Sequence, residues 1–170
     1  MNVRFFCPMN LTPLSNLCAA YTRHLLAARA EVRLLPVRGL GNIMLGPSAW
    51  APHEKLLITP LGWPFVNVVA GEPFDWYRLW TANVKNVLVA LEPPPNGDDH
   101  VTTAGRMVGM TEMRLGSGED RWSVARVAAR YDAILVPTVQ ISSAWAAIGL
   151  AATVVPMECA SGQELVRALV

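Results

Sequence analysis

Tyr131-Asp132-Ala133-Ile134-Leu135-Val136-Pro137-Thr138, followed by Ile141-Ser142-Ser143-Ala144-Trp145-Ala146-Ala147-Ile148-Gly149-Leu150 and by Thr153-Val154-Val155-Pro156, decides the fold class. A β-branched run closed by Pro-Thr, a helix-like segment closed by Gly and a second run closed by Pro spell strand, helix, strand. The runs ending at Val136 and Val155 are apolar on both faces, as expected of parallel strands covered on both sides by helices, whereas a half-solvated antiparallel strand would alternate. The predicted fold is therefore α/β: a mostly parallel sheet with helices on both faces. A right-handed crossover puts Thr138, Gln140, Ser142 and Ser143 at the carboxyl edge of that sheet, where such proteins hold ligands.

Working outward, Asn2-Val3-Arg4-Phe5-Phe6-Cys7 reads as the first strand and Pro8 to Pro13 as the loop after it. Leu14, Leu17, Cys18, Tyr21, Leu25 and Ala28 recur every three or four residues, predicting a helix with Thr12 as N-cap and Pro13 in its first turn. Glu31 to Val37 then completes an opening βαβ unit. Asn10 and Thr12 lie over the carboxyl end of the first strand, where a helix N-terminus suits a phosphate or polar group. Their first reading is as turn and cap residues. The loop has neither G-x-G-x-x-G nor G-x-x-x-x-G-K-[ST], and no cofactor is predicted.

Between the two units, Arg38 to Pro52 reads as a Gly/Pro-rich surface loop and Lys55 to Thr59 as a short strand. Trp63, Phe65, Phe74, Trp76, Tyr77 and Trp80 form an aromatic cluster; Trp76 and Trp80, spaced i,i+4, read as core packing ahead of a sugar-stacking platform. Val84 to Leu91 is a strand ending at Glu92. Asp98, Asp99 and His100 fall in the loop from Asn96 to Thr103 and read as a solvated turn ahead of a metal site. Arg106 to Thr111 is a further strand, and Trp122 to Arg130 a helix.

At 170 residues the chain suits one domain with a substantial core. It is 52% apolar and 16% charged with a net charge of +1, which argues against electrostatically driven binding of nucleic acid. No apolar run reaches the ~18 residues of a membrane span. Cys7, Cys18 and Cys159 are odd in number and far apart, arguing against a zinc site or disulfide framework and for a reducing cytoplasm. The high apolar content favours self-association or a partner chain.

Gly105-Arg106-Met107-Val108-Gly109-Met110-Thr111-Glu112, then Trp122, then the Asp132-to-Thr138 strand, then Gly149-Leu150 and Val154-Val155-Pro156, resemble in order and spacing the N-terminal half of GT-B-type, glycogen-synthase-like retaining glycosyltransferases. The resemblance covers roughly residues 84 to 156, and the opening βαβ unit suits it. It implies a Rossmann-like domain facing a second such domain across a cleft, with the acceptor mainly on this half and the nucleotide-sugar mainly on the other. It also implies that Glu112, Asn10, Thr12 and Thr138 line that cleft. On this reading Glu112 is the candidate catalytic residue, a carboxylate able to take a proton from an acceptor hydroxyl; His100 offers an imidazole for the same step. Asn10, Thr12, His100, Thr138 and Ser142 are the candidate substrate-binding residues, with no metal ligand among them.

The departures bear on activity. The family's glycine pair in the first loop is replaced by Met9-Asn10-Leu11-Thr12, and its Ser after the strand-end proline by Thr138. After Pro156 the family continues toward its donor domain through an Asn-Gly-Val-Asp-like passage, where this chain reads Met157-Glu158-Cys159-Ala160-Ser161. The expectation is an acceptor-side half that needs a partner domain or chain for transfer from a nucleotide-sugar. The alternative is a non-catalytic relative acting as a binding or interaction module. A third reading, an unrelated small α/β enzyme with its ligand at the sheet's carboxyl edge, stays open.

Overall fold

A computed structural model describes residues 1–37, 50–92, 100–102, 107–108, 121–158 and 162–170. The first unit forms as its sequence dictates: β1 (Asn2–Cys7), α1 (Pro13–Ala27) and β2 (Glu31–Pro36). Thr12 caps α1, its hydroxyl accepting from the Ser15 amide at 3.3 Å with Pro13 in the first turn, a cap worth about 1 kcal/mol. Leu17, Cys18, Tyr21 and Leu25 are buried, one face of the helix as the periodicity requires.

β3 (Phe65–Ala70), α2 (Pro73–Leu79) and β4 (Asn86–Val89) follow, then a small antiparallel sheet of β5 (His100–Thr102), β6 (Met107–Val108) and β7 (Arg121–Ser123) in the order β6-β5-β7. α3 (Val124–Ala128), β8 (Ala133–Val136), α4 (Val139–Ala147), β9 (Thr153–Val154) and α5 (Gly162–Leu169) complete the described elements. The main sheet has six strands in the order β2-β1-β3-β4-β8-β9, every pair parallel. This is a Rossmann-like α/β fold, and its order reverses between β1 and β3.

Alternation along the strands sorts the core into two layers. Val3, Phe5, Val32, Leu34, Val68, Val87 and Leu135 pack with α1 and α5 on one face. Val69, Leu88, Ile134 and Val136 pack with Trp76 of α2, Val127 of α3 and Trp145 of α4 on the other. Both faces are therefore helix-covered, which is why Val87 to Val89 and Ala133 to Val136 read as unbroken apolar runs. Each fully buried Leu or Phe in these layers contributes about 1.5–3 kcal/mol.

Three local expectations are corrected. Residues expected as a strand at Lys55 to Thr59 lie largely in a 3-10 helix, Ala51–Leu57, with Pro52 in its first turn and Leu56 and Leu57 against the core. His100 lies in β5, paired across to Val108 and Ser123, rather than in a loop. Trp122 lies in β7, pairing with Val101, and the helix begins only at Val124, where Ser123 caps it.

Candidate functional site

The carboxyl ends of β1, β3 and β4 surround an open cleft of about 390 Å³, lined by Thr12, Leu14, Gly71, Glu72, Trp76, Ala90, Leu91 and Glu92 among others. Its position follows from topology: β1 and β3 are neighbours, and their connections leave in opposite directions, opening a crevice at the carboxyl edge.

The first wall is built by the loop after β1. The Asn10 side-chain oxygen accepts from the Thr12 amide at 3.1 Å and from the Thr12 hydroxyl at 2.7 Å, an Asx turn that folds the loop on itself. Buried Ser15 anchors it, accepting from the Asn10 amide at 3.1 Å and from the Trp50 indole at 2.7 Å. Thr12 and the first turn of α1 are thereby fixed at the cleft, and the positive end of the helix dipole with them.

The second wall follows β3. The Glu72 amide donates to Asp75 Oδ2 at 3.0 Å, closing the first turn of α2. A Cβ on Gly71 would stand 2.7 Å from that same oxygen, so only glycine fits there. The Trp76 indole donates to Gly71 O at 2.9 Å, while the Tyr131 hydroxyl donates to Trp76 O at 2.8 Å. Trp76 also packs against Trp145 at 5.9 Å between ring centroids. Core packing is thus its main role, and its remaining surface contributes to the cleft. Trp80 instead caps the end of α2, with the Arg130 guanidinium 4.2 Å above its ring.

Glu72 and Glu92 are exposed at the rim, and no Lys or Arg is among the described lining residues. The walls are otherwise mostly apolar. Such a surface suits hydroxyl- or amine-bearing ligands with an apolar face, and opposes a phosphate except at the end of α1.

Of the residues singled out in the sequence, Thr12 lines the cleft and Asn10 holds it in place. Thr138 and Ser142 sit together at the carboxyl end of β8. Thr138 is the N-cap of α4, accepting from the Ile141 amide at 3.3 Å, and the Ser142 hydroxyl donates to Ala152 O at 2.7 Å. Neither is among the cleft's lining residues. His100 is far along the chain in the small sheet, and its side chain, like Glu112, Asp98 and Asp99, lies outside the described residues. No cluster of three metal-ligating side chains occurs among the described residues. No helix there is long and apolar enough to cross a membrane.

Sequence reasoning missed Glu72, Glu92 and Leu91 as neighbours in one site. The available signal was Phe65 to Ala70, apolar except at Asn67 and followed by Gly71-Glu72-Pro73, which marks a strand end feeding a helix. Fold and cleft together define a Rossmann-like α/β fold with an open crevice at its topological switch point. Compared with protein-family models, curated proteins and solved structures, the chain matches none.

Proposed function

We propose that this chain is an acceptor-side, glycosyltransferase-like domain that binds a sugar or similar polyhydroxyl ligand in the cleft where β1, β3 and β4 end. Transfer from a nucleotide-sugar then requires a second domain or partner chain to supply the donor site. The supporting observation is the cleft itself: apolar walls, a tryptophan edge, the Thr12 hydroxyl and two rim carboxylates at the switch point. Carboxylates accept hydrogen bonds from sugar hydroxyls, and apolar walls suit the C–H face of a ring. In this reading Glu112 acts on the acceptor hydroxyl, and the domain works in the cytoplasm, where Cys7 and Cys18 stay as buried free thiols.

A second reading, a non-catalytic binding module, is favoured by a specific observation. Asn10, Thr12, Thr138 and Ser142 all spend polar groups on local backbone: an Asx turn, two helix caps and a tie to Ala152. Side chains so engaged are suited to holding shape more than to chemistry.

The test is a thermal-shift and NMR screen of neutral sugars, amino sugars and nucleotide-sugars against the chain, repeated with Glu92→Ala and Glu112→Ala. The transferase reading expects sugar binding weakened by Glu92→Ala, and nucleotide-sugar turnover, with a partner present, abolished by Glu112→Ala. Binding without turnover under any partner leaves the module. No binding in the cleft removes both.

A further inference from the structure

The chain between the 3-10 helix and β3, Ile58-Thr59-Pro60-Leu61-Gly62-Trp63-Pro64, carries no charge and presents two large apolar side chains to solvent: Ile58 is 82% exposed and Trp63 67%. It runs along the amino edge of the sheet, the end opposite the cleft. Pro64 O accepts from the Asn2 side chain at 3.1 Å, and Asn2 starts β1 beside Glu31 of β2 and Phe65 of β3. The 3-10 helix leads toward that edge: the Trp50 indole bonds Ser15 in the first turn of α1, whereas His53 lies within reach of the Arg23 charge two turns further on. Exposed Leu26 joins them from the last turn of α1, its carbonyl accepting from the Arg29 amide at 2.9 Å just before β2.

Trp63 is held in this exposed position. Its ring meets Phe65 edge-on at 5.1 Å, and the Arg4 guanidinium backs Phe65 at 4.4 Å from the ring centroid. Cations flank the apolar tips. Lys55 lies one turn before Ile58, whose amide donates to Lys55 O at 3.3 Å; Arg29 precedes β2 and Lys85 precedes β4. Lys55 and Arg29 are exposed, neither has an ion pair among the described residues, and the three cations outnumber Glu31 and Glu54 there. The apolar area is small for a protein partner. Trp63 exposes on the order of 150 Å², and with Ile58 and Leu26 the tips stay well under the ~800 Å² that each side of a standard protein interface buries.

We propose that this amino edge docks on the surface of an anionic lipid bilayer, with Ile58 and Trp63 entering the boundary between headgroups and acyl chains and Lys55, Arg29 and Lys85 meeting the lipid phosphates. A tryptophan suits that boundary, where its ring is apolar and its N–H stays wet. Shallow insertion of a few apolar side chains needs no complementary partner surface, and cations beside them add attraction to anionic lipid. The cleft then stands about 20 Å from the lipid, at the far end of six-residue strands, and opens to water.

The test is co-sedimentation of the whole chain with vesicles of phosphatidylcholine and phosphatidylglycerol, alongside its mass by light scattering without lipid. The unsubstituted chain is expected to pellet with the vesicles. Ile58→Ser and Trp63→Ala each weaken the partition about fivefold, and Arg29→Gln combined with Lys55→Gln about tenfold. Ile58→Ser melts at the same temperature as the unsubstituted chain, because so exposed a side chain has little packing to lose, and its weaker binding therefore reports the surface and not folding. No pelleting of the unsubstituted chain, or a partition untouched by both apolar substitutions, overturns the proposal. So does a dimer that Ile58→Ser breaks, which gives this face to a second copy of the chain.

Discussion

Asn67 of β3 donates from its side-chain nitrogen to the side-chain oxygen of Asn86 on β4 at 2.7 Å, a bond buried between neighbouring strands near the amino edge of the sheet. Asn86 in turn accepts from the Thr81 amide at 2.9 Å and donates to the carbonyls of Thr81 and Val84 at 2.7 and 2.9 Å. Asn67 also donates to Leu79 O at 2.9 Å and accepts from Arg4. The pair thus holds the turn between α2 and β4, including Asn83 at a φ of 61°, with its polar groups matched. Through α2 it supports the wall of the cleft at the opposite edge.

Asn86→Ala strands the Thr81 amide, the Asn67 side chain and two carbonyls inside the protein. The expected loss is about 3 kcal/mol, read as a lowered midpoint in urea at unchanged slope. A loss under 1 kcal/mol would show that the turn rearranges to find other partners.

Gly162 starts α5 against the end of α1. An added Cβ would overlap the backbone oxygen His24 O and crowd Ala28 Cβ at 3.1 Å. Gly162→Ala is expected to cost more than 2 kcal/mol by lifting α5 from α1. Increased hydrogen exchange confined to α5 and the facing turns of α1 is the accompanying sign.

His53, in the 3-10 helix beside Trp50, is buried with Nε2 unpartnered. Burial first, and the Arg23 charge second, lower its pKa from 6.5 in the folded chain. The unfolded chain therefore binds the proton more readily. Stability from this group is full above about pH 6.5 and is lost as pH falls from there through the lower folded value. Comparing urea midpoints of the unsubstituted chain and His53→Leu between pH 5 and 7.5 isolates the effect. Their difference is expected to shift in favour of the variant at the acid end, and a pH-independent difference would contradict the assignment.

Cys7 and Cys18 are fully buried, and burial pushes both thiols up, Cys18 further because of Cys7. Neither is expected to react with a thiol reagent at pH 8 until the chain unfolds. Mass-spectrometric mapping that found Cys7 or Cys18 modified in the native state would contradict their placement.

The sequence displayed its fold where local signals and tertiary needs agreed. Thr12, Pro13 and the spacing from Leu14 to Leu25 marked α1, and the Pro-Thr and Gly stops around α4 marked the last βαβ unit. Elsewhere, short apolar runs carried no period. Leu56-Leu57-Ile58 looked like strand and is mostly 3-10 helix, because five residues cannot separate a buried helical turn from a strand. β3 hid among aromatics whose own pairing drew attention: Trp63 stacks edge-on against Phe65 at 5.1 Å. Losing β3 concealed the cleft as well, since Gly71, Glu72 and Trp76 belong to its carboxyl end. Strand order depends on contacts between residues up to 63 apart, such as Arg4 with Asn67, which no local pattern encodes.

The central claim is that the cleft ending β1, β3 and β4 is the ligand site. Amide chemical-shift mapping during titration with neutral and amino sugars tests it most directly. The expected result is a set of shifts centred on Thr12, Leu14, Gly71, Leu91 and Glu92, with affinity reduced at least fivefold by Glu92→Ala. Shifts centred elsewhere, or an affinity untouched by Glu92→Ala, would contradict it.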